Sequence, residues 1–188
     1  MDNILETNRL VFRKLCYDDM DNLKKTLQDE VAMYAYAHAF SDEEVEAWLQ
    51  RQLARYDEDG FGLWALIRKH DGNFIGQCGL TIQEIDGRKL LEIGYLLQRA
   101  YWHQGYAIEA AKAVKEYAFT KLHAPWVFSI IRDNNAASIK VAERNGMIKT
   151  GVIVKQYYHM DMCHFVYCAE NPYIHKPVSY THLTLPTT

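Results

Sequence analysis

Trp102-His103-Gln104-Gly105-Tyr106-Ala107 is the stretch of this chain with the plainest chemical meaning. It lies where a loop passes into a helix. The first amides of a helix lack an intrahelical acceptor and sit at the positive end of its dipole. Gly105 and Ala107 keep bulk away from those amides, so a phosphate can reach the backbone. The loop is no dinucleotide fingerprint, because G-x-G-x-x-G is absent, and no Walker A loop, because no Gly-Lys-Ser/Thr follows. Taken alone, its glycine would equally serve a tight turn.

Three other groups carry reactive side chains. Glu92 opens a strand candidate. Asn135-Ala136-Ala137-Ser138 opens a helix candidate, which Asn135 is well suited to cap. His159, Asp161 and Cys163 alternate, as metal ligands on one strand face would, but a polar exposed face accounts for them and no metal is assigned.

The elements that position these residues follow from periodicity. Glu92 to Leu97 reads as a strand, with Ile93, Tyr95 and Leu97 on one face and Gly94 and Leu96 on the other. Gly94 marks a bulge or a close backbone approach. The spacing of Ala107, Ala111, Val114, Ala118 and Leu122 predicts a helix stopped by Pro125; about 18 residues would span roughly 27 Å.

Upstream, Arg9 to Leu15 reads as a first strand and Met20, Leu23 and Leu27 as a helix face. Ser41 followed by Glu44 is a capping box opening a helix to about Tyr56. Phe61–Arg68, Phe74–Ile85 and the Glu92 strand form a meander. The alternating Tyr34, Tyr36, His38 and Phe40 suit either packing or a pocket lining. Downstream come a strand over Trp126–Ile131, a helix over Ala136–Arg144 closed by Gly146, and two last strands, Met147–Tyr158 and Met160–Ala169.

The totals suit one domain. The 188 residues are 49% hydrophobic and 24% charged, with a net charge of −3, so no overall basic balance points to nucleic acid. Met1 to Asn8 lacks the basic start and apolar run of a signal peptide, and no run approaches a membrane span. Four cysteines without a C-x-x-C pair suggest free thiols and a cytoplasmic setting. Residues 172–188, rich in proline and threonine, read as a tail outside a 1–171 domain.

The run W-H-Q-G-Y-A-I-E-A-A resembles the acyl-CoA-binding motif of GNAT-family N-acetyltransferases, with Trp102 in place of the usual Gln or Arg. With the E-I-G-Y strand before it, it is similar to the RimJ/RimL-type branch, over about residues 6–170. Asn135 to Ser138, ending in Asn145-Gly146-Met147, resembles that family's second motif. The resemblance implies an α/β (α+β) fold with a mixed, mostly antiparallel sheet of about seven strands. That sheet would part between the fourth and fifth strands and carry about four flanking helices.

It further implies acetyl-CoA as cosubstrate, a protein N-terminus or small amine as acceptor, and a monomer or homodimer. Pantetheine would lie along Tyr95, Leu96 and Leu97, with a backbone N–H freed by a bulge near Leu96 or Leu97 facing the thioester oxygen. The diphosphate would rest on the amides of Gln104 to Ile108, in a cradle formed by Trp102, His103, Gln104, Gly105, Tyr106, Ala107 and Ile108. Asn135 and Ser138 would line the pantetheine path. Glu92 is the candidate general base. Ser138 is the candidate acid, because the position where many relatives carry a tyrosine is Ala142 here; Tyr106 and Tyr157 are alternatives. That empty position leaves a non-catalytic acyl-CoA-binding module as the other reading.

Overall fold

The computed structural model describes residues 3–157 and 159–174. In chain order these form β1 (Asn3–Glu6), β2 (Leu10–Arg13), α1 (Met20–Leu27), α2 (Asp42–Glu58), β3 (Leu63–Arg68), β4 (Phe74–Ile85), β5 (Arg88–Leu97), α3 (Tyr106–Thr120), β6 (Trp126–Arg132), α4 (Ala136–Arg144), β7 (Ile148–Tyr157) and β8 (Met160–Glu170). The strands make one sheet in the order β1-β2-β3-β4-β5-β6-β8-β7. Every pairing is antiparallel except β5 with β6. The sheet thus has eight strands where about seven were expected. The addition is β1, four partly exposed residues that gain strand form only by pairing with β2.

The sheet is covered on both faces. Val114, Ala118 and Phe119 of α3 and Ala142 of α4 pack on Leu10, Trp64, Ile75, Ile93 and Val127. On the other face, Leu23 and Leu27 of α1 and Val45 and Leu49 of α2 cover Ala65 and Phe74. The Ser41 capping box opens α2 as expected, with Ser41 Oγ accepting from the Glu44 amide and Glu44 Oε2 from the Ser41 amide. Gly146, at φ +76°, closes α4 in the left-handed conformation that glycine adopts freely.

Three expectations change. Helix α3 has 15 residues; it begins at Tyr106, because Arg99–Tyr101 is a separate 3-10 turn and Gly105 is its N-cap. It ends at Thr120, before Pro125 can act, in an irregular turn where His123 has φ +51° and the Ala124 amide bonds to the Ala118 carbonyl. Strand β5 has no bulge: its register with β4 runs unbroken from Arg88 to Leu97. The irregularity lies one strand away, in β4 at Phe74–Gly76, where the register with β3 shifts. A Cβ on Gly76 would collide with the backbone of Leu96 and Leu97, so β4 needs glycine there for β5 to lie close. From residue 175, the expected tail lies outside the described residues, as does Tyr158.

Candidate active site

Strands β5 and β6 are parallel and share one paired position, Glu92 with Phe128. Side chains from both strands extend the contact just past it. Glu92 Oε1 accepts the Ile130 amide at 3.3 Å, and Ser129 Oγ donates to the Ile93 carbonyl at 3.2 Å. Beyond these two bonds the strands part, and Gly94–Leu97 have no strand partner on the β6 side among the described residues. Antiparallel ladders turn successive residues' backbone groups to opposite edges. The Ile93 carbonyl meets β6 and the Gln98 amide meets Ile75 of β4. Tyr95 and Leu97 therefore aim their backbone groups into the split, and Leu96 aims its own at β4. The Trp102 indole N–H donates to the Leu97 carbonyl at 2.9 Å, which ties the loop to the strand end.

The loop after β5 ends beside this split. The Trp102 amide is spent on the Arg99 carbonyl, so the stretch open to an anion begins after it. His103, Gln104 and Gly105 are exposed, with left-handed φ at His103 (+59°) and Gly105 (+80°). The Tyr106, Ala107 and Ile108 amides form the uncapped first turn of α3, and Gly105 has no side chain to cover them. Arg9 braces the loop: its Nη1 donates to the Gln104 carbonyl at 3.0 Å, and its Nε pairs with Glu109 Oε2 at 2.6 Å. Burial pushes Glu109 up, but bonds from Thr7 and Arg9 and the Arg9 charge outweigh it, so its pKa lies below the usual carboxylate range. Tyr106 is buried in the core under the Arg9 guanidinium, 4.3 Å from the ring centre, and it does not line the split.

A cavity of about 440 Å³ opens on the α1–α2 side of the sheet and runs through the split. Its floor comes from Gln77, Thr81, Glu92, Gly94 and Leu96. Its walls come from α2, the 32–40 segment, the start of α4 and the β7–β8 hairpin. Glu92 Oε2 accepts from Thr81 Oγ1 at 3.2 Å. Burial pushes the Glu92 pKa up; Lys155, the Ile130 amide and Thr81 pull it back without cancelling the rise. Asn135 Oδ1 caps α4 by accepting the Ser138 amide at 3.1 Å, and also accepts the Tyr34 hydroxyl at 2.6 Å. Ser138 lines the cavity, and its carbonyl accepts the Tyr95 hydroxyl at 3.0 Å. Ala142 is buried and offers no proton. Tyr157 lines the cavity.

Glu92, Tyr95, Leu96, Asn135 and Ser138 thus meet around one cavity, while the 103–108 loop lies at the far end of β5. Several lining residues carried no sequence signal. Gln77 is buried, and its Oε1 has no partner among the described residues. His164 donates from Nδ1 to the Met162 carbonyl at 2.8 Å. Burial lowers its pKa, and the nearby Lys155 and Arg132 add to that, so at neutral pH the ring is uncharged with Nε2 as acceptor. Arg51, Arg55, Arg132 and Lys155 also line the cavity. Among the described residues no three His, Cys, Asp or Glu side chains gather as a metal site, His159, Asp161 and Cys163 included.

Residues 9–148 match the family model described as acetyltransferase (GNAT) domain. The chain is 36% identical over 149 residues to the uncharacterized protein YkkB of Bacillus subtilis, covering 76% of this chain and 84% of that one. It is 30% identical over 152 residues to the uncharacterized N-acetyltransferase p20 of Bacillus licheniformis, covering 79% and 84%. Among solved structures, RimL, the ribosomal L7/L12 alpha-N-protein acetyltransferase in complex with coenzyme A, superposes with a TM-score of 0.73 at 17% identity, covering 90% of this chain and 98% of that one.

Proposed function

Because the chain belongs to the GNAT acetyltransferase family, we propose that it transfers the acetyl group of acetyl-CoA to a primary amine by direct attack in a ternary complex. One observation carries the reading: the unpaired edge of β5 at Tyr95–Leu97 runs into a loop whose exposed turn leads to the free amides of α3. Pantetheine pairs with the backbone of Tyr95 and Leu97 as an added strand. The diphosphate rests on the 104–108 amides. The thioester carbonyl then lies in the split, with the Leu97 N–H able to donate to its oxygen as it becomes anionic.

The acceptor enters from the α1–α2 side. A primary amine is mostly protonated at neutral pH and attacks only once neutral. Glu92, held at the mouth of the split and raised in pKa, takes that proton directly or through one water. The nitrogen bonds to the thioester carbon, the C–S bond breaks, and the second proton of the attacking nitrogen passes through the Ser138 hydroxyl to the departing CoA thiolate. The described cavity has no Cys–His pair: Cys78 and Cys168 are buried with their thiols pushed up by burial, and neither lines it. That arrangement supports direct transfer over an acyl-enzyme.

One catalytic domain over 1–171 and a cytoplasmic location accompany this reading; none of the described helices is long and apolar enough to cross a membrane. Calorimetry with CoA and acetyl-CoA tests the cosubstrate, and thiol release across an amine panel tests the reaction. Binding without release for every amine would leave a non-catalytic acyl-CoA module.

A further inference from the structure

The acceptor side of the cavity is cationic on a chain whose net charge is −3. Arg51 and Arg55 of α2, Arg132 at the end of β6 and Lys155 of β7 line it, and Glu92 is its one carboxylate among the described residues. None of the four cations forms a salt bridge with a described carboxylate. The bonds that three of them make are to neutral oxygens. Arg55 Nη1 donates to Gln52 Oε1 at 3.1 Å, Arg132 Nη1 to the Tyr34 carbonyl at 3.2 Å, and Lys155 Nζ to Gln83 Oε1 at 3.4 Å. Lys155 and Arg55 lie close enough to Glu92 for both charges to act on its carboxyl.

Four like charges drawn from three separate elements around one acid repel one another, and nothing in the fold requires them to converge. The same field repels an ammonium that brings no negative charge of its own. It favours a molecule whose ammonium meets Glu92 while an anion meets the guanidinium and ammonium groups beside it. A volume of about 440 Å³ is of small-molecule size.

Resting on the acetyl-transfer reading above, we propose that the acceptor is a small amine carrying an anionic group, held by Arg55 and Lys155 while its nitrogen faces Glu92. The shared chemistry is a primary amine within a few bonds of a carboxylate or a phosphonate. A protein N-terminus, whose first carbonyl is a neutral amide, and a polyamine both lack that anion.

Matched acceptors test this, with initial rates read as CoA thiol release. Free amino acids are compared with their amides, β-alanine with propylamine, and 2-aminoethylphosphonate with the same amine; spermidine and a short amidated peptide complete the set. The expected result is a kcat/KM about tenfold or more higher for the anionic member of a pair, as for a charge-assisted bond. Preference for the phosphonate over β-alanine, or the reverse, identifies the anion. Arg55→Gln and Lys155→Gln should each shrink the preference through KM for the amine, with acetyl-CoA affinity by calorimetry unchanged; if one variant fails to fold, the other carries the test. Equal or better turnover of amides, spermidine or peptide overturns the anion proposal and leaves acetyl transfer standing. Acetyl-CoA binding with no turnover of any amine overturns both.

Discussion

The carboxylate of Glu92 accepts the backbone N–H of Ile130 across the point where β5 and β6 part. One side chain therefore helps hold the mouth of the split and faces the cavity as its acid. Glu92→Gln keeps an amide oxygen for the Ile130 N–H and can turn its NH2 to the Thr81 hydroxyl, but cannot take a proton. It should lower kcat/KM by about 10²- to 10⁴-fold with CoA affinity nearly unchanged. The wild-type rate should rise with pH through a pKa above the usual carboxylate range, and that limb should vanish in the variant. An identical pH–rate profile in both would remove Glu92 from the base role.

Stability gives an independent readout of the same group. Its folded pKa is raised, so folding favours the protonated form. The stabilising contribution is present below the unfolded pKa and is lost as pH rises through the folded one. Glu92→Gln should thus match the wild type in acid and equal or exceed its melting temperature at neutral pH. Glu92→Ala should instead lose about 1–3 kcal/mol, because the Ile130 amide loses its acceptor.

Gly105 is the second test. Its φ of +80° costs a side-chain-bearing residue about 1–2 kcal/mol, and a Cβ there would stand 3.4 Å from Arg9 Nη2. Gly105→Val should fold, because the position is exposed, yet lose CoA binding measured by calorimetry. Wild-type affinity in a folded Gly105→Val protein would contradict the placement of the diphosphate.

The parts of the fold and of the site that were legible in the sequence were those that local chemistry fixes. Ser41 and Glu44 satisfy each other's backbones within one turn, and Gly146 carries a φ that glycine adopts at no steric cost. The alternation of Ile93, Tyr95 and Leu97 against Leu96 holds because strand geometry requires it. Where in Trp102 to Ala107 the loop gives way to α3 was not legible, because nothing local divides Trp102 to Gln104 from the helix residues that follow. What sets them apart is tertiary: the Trp102 indole folds back on Leu97 and Arg9 holds the Gln104 carbonyl from ~95 residues away. The cationic lining was invisible for the same reason. Arg55 and Lys155 belong to patterns that read as ordinary solvated faces, and only the closing of α2 and the last hairpin over the sheet brings them to Glu92.

The brace on the loop makes a third prediction. Arg9 and Glu109 are partly exposed, so Arg9→Ala should cost stability of only about 1 kcal/mol. Freed from the Gln104 carbonyl, the loop should bind CoA less tightly by roughly the corresponding factor of five. Glu109 has a lowered folded pKa, so its contribution is present above the unfolded carboxylate pKa and is lost as pH falls through the folded one. The difference in urea midpoint between wild type and Arg9→Ala should therefore shrink from pH 7 to pH 3. A constant difference would show that the ion pair contributes nothing to the brace.

Variants of Ser138 and Tyr95 test how the thiolate would leave in the proposed reaction. Ser138→Ala keeps the amide bonded to Asn135 and the carbonyl bonded to Tyr95, so it should fold normally. A thiol's pKa of about 8.5 makes its conjugate base a fair leaving group, so losing the donor should lower kcat by only about tenfold near pH 7. The loss should fade above pH ~9, where the thiolate needs no proton. Tyr95 competes for the role, since its hydroxyl already reaches α4 and burial pushes its pKa well up. Tyr95→Phe should cost about 1 kcal/mol of stability through the lost bond to the Ser138 carbonyl. If it also lowers kcat more than Ser138→Ala, with the same fade at high pH, the phenol is the acid. If its kcat holds, the tyrosine serves to dock α4 against β5.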